Sequence, residues 1–75
     1  MSMNVEKILR ELLARKTPNG YYLIPSFKKA LRFIDLKDLE VEEYNAEIVF
    51  LKTRSRNKAK QLIEYLIKCR LLAEI

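Results

Sequence analysis

Ala46-Glu47-Ile48-Val49-Phe50-Leu51-Lys52 is the segment on which the fold turns. Its centre, Ile48 to Leu51, is an unbroken apolar run with β-branched and aromatic side chains, which reads as a buried strand. A helix through the same residues is the alternative, because a short apolar run carries no period of its own. With a strand here the chain is α+β and helix-rich. With a helix it is an all-α bundle of three or four helices.

Immediately after this run comes Lys52-Thr53-Arg54-Ser55-Arg56-Asn57-Lys58-Ala59-Lys60, with five cations and no acid. The last helix is expected to begin near Ser55 and to reach about Leu72. On a wheel its apolar arc, from Ala59 through Leu62, Ile63, Tyr65, Leu66, Ile67 and Cys69 to Leu72, spans roughly 220°, whereas a helix resting on one core needs about 100–140°. The excess points to a helix used twice, once for the core and once for a partner. Tyr65, Ile67, Leu71 and Leu72 are the candidate interface residues. Cys69, inside the arc, reads as a small buried hydrophobe.

On the N-terminal side, residues 35–45 show no clean period and read as a loop or a short helix. Ser26 is positioned to cap a second helix in which Phe27, Ala30, Leu31 and Ile34 share a face and Lys28, Lys29 and Arg32 lie opposite. Tyr21-Tyr22-Leu23-Ile24, between Gly20 and Pro25, reads as a short strand. Val5, Ile8, Leu9, Leu12 and Leu13 form the stripe of a first helix, capped by Ser2 or Asn4 and ended by Thr17-Pro18-Asn19-Gly20. The expected order is therefore α-β-α-β-α with a small two-stranded sheet. Such a sheet is barely stable alone, so pairing of two copies through an edge strand or through the last helix is expected.

Seventy-five residues make one domain, 1–75, with a thin core. A single cysteine and no histidine rule out an internal disulfide and a Cys/His zinc site. That leaves self-association, as a homodimer, to add stability. No segment approaches the ~20 apolar residues of a membrane span. Met1 to Lys7 leads into no apolar stretch of the kind a signal peptide carries. The unpaired cysteine also argues against secretion. A soluble cytoplasmic protein is expected, and the Lys-, Glu-, Ile- and Leu-rich composition leans towards a heat-loving source.

Enzyme chemistry fails on inventory. Without histidine there is no conventional Ser-His or Cys-His nucleophile pair, and one glycine cannot build a phosphate loop. The carboxylates sit in one polar stretch, without the apolar surroundings that raise an acid's pKa. The expectation is a binder, with no cofactor, no metal, no small-molecule substrate and no membrane contact.

Charge supplies the functional clue. Residues 1–34 hold seven Lys/Arg and two acids, residues 35–51 one Lys and six acids, and residues 52–75 seven Lys/Arg and two acids. The overall +5 thus hides alternating blocks. The sharpest cationic block sits where a strand meets a helix N-terminus, whose free N–H groups and dipole already favour anions. Lys52, Arg54, Arg56, Asn57, Lys58 and Lys60 are accordingly candidate phosphate ligands, with Lys28, Lys29 and Arg32 extending the patch. Tyr21 and Tyr22 read as packing residues, although one of them could stack on a base. The acids Asp35, Asp38, Glu40, Glu42, Glu43 and Glu47 lack the loop pattern of a calcium hand and read as a polar connection offsetting the basic faces.

Arg56 to Leu72, with the pattern A-x2-L-x3-L-x4-LL, resembles the recognition helix of a winged-helix or helix-turn-helix domain. That resemblance implies Arg56, Asn57, Lys58 and Gln61 facing a major groove, Arg towards guanine and Asn or Gln towards adenine. The chain departs from the pattern, since about 18 residues separate the second and third expected helices where that motif has roughly three or four. No glycine-bearing wing follows Leu72, and membership of the family is not inferred. The expected function is nucleic-acid binding, duplex DNA favoured over RNA. The alternative is an accessory subunit that docks its broad last helix on a larger protein partner.

Overall fold

Ile48 to Thr53 folds as a strand, and it is the middle one. The computed structural model describes residues 4–73. The elements run α1 (Val5–Leu13), β1 (Tyr22–Phe27), a 3₁₀ turn (Lys28–Arg32), β2 (Glu40–Glu43), β3 (Ile48–Thr53) and α2 (Arg56–Lys68). The strands form one antiparallel sheet in the order β1-β3-β2. The expected helix-rich α-β-α-β-α chain with two strands is therefore overturned, as is the bundle alternative. The fold is α+β, with two α-helices and a three-stranded sheet.

Burial along β3 alternates with the two-residue period of a strand. Val49, Leu51 and Thr53 are buried, while Ile48, Phe50 and Lys52 are half-buried on the other face. Register places Ser26 opposite Val49, Ile24 opposite Leu51 and Tyr22 opposite Thr53, so all six share one face. Ala59, Leu62, Ile63 and Leu66 of α2 and Leu12 and Leu13 of α1 join this face in a single core. Asn4 caps α1, its Oδ1 accepting from Lys7 N at 3.1 Å. Ser2, the other expected cap, lies outside the described residues.

Two elements differ from expectation for identifiable reasons. The second helix does not form: Ser26 and Phe27 belong to β1, and only a 3₁₀ turn follows. Pro25 does not interrupt the strand, because its carbonyl accepts from Ala73 N on the side away from β3. A residue's N and O lie on the same side of a strand, so the missing N–H costs the β1–β3 ladder nothing. Ser26 caps no helix, its hydroxyl donating to the Phe27 carbonyl at 3.0 Å. Ala30 is buried, and Leu31 and Ile34 pack half-buried on the core, so the apolar spacing serves a tight turn instead of a helix.

The second difference is β2, in the stretch expected to be loop or short helix. All four of its residues are exposed, so it carries no apolar period. Backbone pairing with β3 holds it there, and the hairpin closes on Asn45, whose Oδ1 accepts from Glu47 N and Ile48 N at 2.8 Å each. No helix among the described residues is long and apolar enough to cross a membrane.

The last helix stops at Lys68, short of the expected Leu72. Arg70 turns left-handed with φ 57°, Arg70 N donates to Ile67 O at 3.1 Å, and Leu71 N donates to Leu66 O at 2.8 Å. This pair of bonds is the Schellman closure of a helix. It reverses the chain so that Leu72 bridges Ser26, with Phe27 N donating to Leu71 O and Ala73 N to Pro25 O. Residues 71–73 thereby cover the outer edge of β1. A side chain at a left-handed position costs roughly 1 kcal/mol. Arg70→Gly is accordingly expected to stabilise the fold by about that amount, raising the thermal midpoint by about 4–8 °C. Calorimetry of the two proteins checks this, and an unchanged or lower midpoint contradicts it.

Candidate nucleic-acid interface

The junction between β3 and α2 is set by two short hydrogen bonds. Thr53 Oγ1 accepts from Ser55 N at 3.1 Å, and Ser55 Oγ accepts from Lys58 N at 3.2 Å as the N-cap of α2. The first helical backbone bond is Ala59 N to Ser55 O, so the N–H groups of Arg56 and Asn57 precede the ladder. No acid stands in this first turn.

β1 brings Tyr21 and Tyr22 to the same corner. Thr17 N donates to Tyr21 O at 2.8 Å and Thr17 Oγ1 accepts from Tyr21 N at 3.0 Å, which folds the end of the first helical segment back onto the strand. Gly20, at φ 86°, supplies the left-handed residue this reversal needs. Lys16 consequently bridges to Tyr22 and holds its ammonium 5.0 Å from the Tyr22 ring centre. The Arg54 guanidinium lies 4.7 Å from the Tyr21 ring centre and the Lys52 ammonium 5.6 Å from it. These are cation–π distances.

Tyr22 is only 3% exposed. Burial pushes its phenol up, but the nearby positive charges of Arg56 and Lys16 outweigh this and hold it below its ordinary value. Lys16 and the stretch holding Lys52, Arg54 and Arg56, two parts of the chain far apart in sequence, thus converge on two tyrosines beside a helix N-terminus. Lys16 is the member that sequence reasoning missed. The available signal was the short turn 17–20, which obliges the residue before it to sit beside the start of β1.

The remaining expected ligands are spread out. Asn57 and Lys60 are exposed on α2, near the cluster. Half-buried Lys58 turns to the opposite flank of α2, where it lines a hollow of about 170 Å³ with Phe33, Asp35 and Tyr65. Lys28, Lys29 and Arg32 follow the far end of β1, so they do not extend this patch. Six strand residues intervene, about 20 Å at a strand's rise. Lys28 also pairs with Glu43 at 3.5 Å, and Lys52 with Glu42 at 3.8 Å. The acidic strand therefore offsets two of the cations within the same chain.

The broad apolar arc of α2 is largely consumed inside the molecule. Ala59, Leu62, Ile63 and Leu66 are buried, Leu71 lies in the core past the helix end, and Ile67 and Leu72 are half-buried against it. Of the four interface candidates, Tyr65 alone is exposed, at 37%. Cys69 is exposed as well, not buried: as the C-cap it keeps the helical bond to Tyr65 O at 3.0 Å and lies one turn beyond that exposed residue, at the end of the helix. Among the described residues no group of three Cys, Asp or Glu side chains is placed to hold a metal ion. No family model, curated protein or solved structure matches this chain.

The lowered phenol sets a pH signature. In the folded state the Tyr22 anion is favoured relative to the unfolded chain, whose phenol ionises near about 10. The stabilisation is absent below the folded pKa and grows as pH rises from there to the unfolded value. Urea unfolding at a series of alkaline pH values should show wild type gaining on Tyr22→Phe across that window. Parallel pH profiles for the two proteins would contradict the assignment.

Proposed function

We propose that this domain binds the phosphate backbone of a nucleic acid, duplex DNA in preference to RNA, and catalyses no reaction. The observation that supports it most is the convergence of Lys16, Lys52, Arg54 and Arg56 at the N-terminus of α2. Cations gathered at the positive end of a helix dipole raise each other's energy, and a polyanion relieves that strain. Asn57 and Lys60 add donors on the adjoining face of the helix.

The tyrosines argue for backbone contact over base stacking. Tyr22 is buried and the Tyr21 ring is approached by Arg54 and Lys52, so neither offers the open ring that single-strand binders use. An exposed, unpaired Cys69 suits a reducing compartment, and we place the activity in the cytoplasm.

Binding to a labelled random duplex should fall steeply with salt. Each phosphate contact removed lowers the slope of log K against log salt by about 0.9. Lys16→Gln/Arg54→Gln should therefore flatten the slope by about 2 and weaken low-salt binding at least roughly tenfold. Lys28→Gln/Lys29→Gln, at the far end of β1, should leave both nearly unchanged. No binding at low salt, or equal loss in the two variants, would sink this reading. The accessory-subunit reading would then rest on Tyr65 and its neighbour Phe33, which is 66% exposed.

A further inference from the structure

The helices cover one face of the sheet, and the opposite face is only partly closed. There Leu23, Pro25 and Phe50, with Tyr44 edge-on to Phe50 at 5.6 Å, form the floor of an open groove. Ile8 of α1 and Leu72 wall it on the other side, and its volume is about 530 Å³. Tyr44 is 57% exposed. A groove of this size with an aromatic floor is an unfilled apolar surface on a domain too small to bury much elsewhere.

We propose that a second copy of this chain occupies the groove, the two packing face to face about a two-fold axis. Both free sheet edges are obstructed as routes to self-association. Residues 71–73 already cover the outer edge of β1. The free edge of β2 carries Glu40, Glu42 and Glu43, so pairing two copies there sets like charges against each other. The apolar arc of α2 is mostly spent on the core, leaving Tyr65 as its exposed large side chain.

Charge identifies the occupant. A protein of net +5 repels its own copy unless the two meet through a face of nearly balanced charge. The groove is such a face, lined by one acid and one base, Glu11 and Arg15. A two-fold contact is self-complementary, each residue meeting its counterpart's partner. Glu11 of one copy can therefore face Arg15 of the other, twice over. The same balance makes the groove a poor seat for a polyanion, so this inference is independent of nucleic-acid binding.

Sedimentation equilibrium of the full chain without nucleic acid tests it. Wild type should dimerise by high micromolar concentration, and Tyr44→Glu should raise the dissociation constant at least roughly tenfold. Tyr65→Glu, on the α2 flank, should leave it unchanged. Circular dichroism confirms that both variants fold, and Tyr44 is exposed enough for the substitution to be accommodated. Glu11→Arg and Arg15→Glu should each weaken the dimer, and the double swap should recover it. A monomeric wild type, a dimer indifferent to Tyr44→Glu, or one broken by Tyr65→Glu overturns the proposal, as does a double swap that recovers nothing.

Discussion

The register of β3 is the constraint on which the rest of the structure depends. Val49, Leu51 and Thr53 must face the helices, because only that face has α1 and α2 to exclude water from them. A slip of one residue would exchange them for Ile48, Phe50 and Lys52 and bury an ammonium under α2. Thr53 is the last residue of the strand, and its hydroxyl organises the turn into Ser55 and the cap of α2. The packing of a central strand thus determines where the helix N-terminus points and which cations surround it.

The neighbours of β3 are chemically unequal, and this divides the charge of the molecule. β1 is buried along most of its length and is flanked by Leu72, whereas β2 is acidic and wholly exposed. Through Glu42 and Glu43 the acidic strand reaches Lys52 and Lys28 across the sheet. Exposed pairs of this kind contribute little stability, about 0–1 kcal/mol each. Their larger effect is electrostatic, since they offset Lys28 and Lys52 and leave Lys16, Arg54 and Arg56 at the α2 N-terminus without an acidic partner among the described residues.

That cluster is ordered before any ligand arrives. The Tyr21 ring faces Arg54 and Lys52, and Tyr22 lies beside the charges of Lys16 and Arg56. Aromatic faces and a buried phenol offset part of the repulsion among four cations without neutralising them. Side chains restrained in this way lose less freedom on binding an anion than free lysines would.

Local pattern was enough to read α1, the start of α2 at Ser55 and the basic junction, since each rests on residues close in sequence. For 48–52 it favoured a strand but left a helix open, and pairing with β1 and β2 decided it. The absence of histidine and of paired cysteines likewise needed no coordinates. Tertiary structure alone decided the rest. β2 has no apolar side to signal it and exists through backbone bonds to β3. Ser26 and Phe27 extend β1 because residues from the far end of the chain pair with them, and the apolar arc of α2 serves three neighbours at once. Lys28, Lys29 and Arg32 leave the site because they follow the far end of β1, and which end of a strand meets the α2 N-terminus is set by register, which spacing along the chain does not encode.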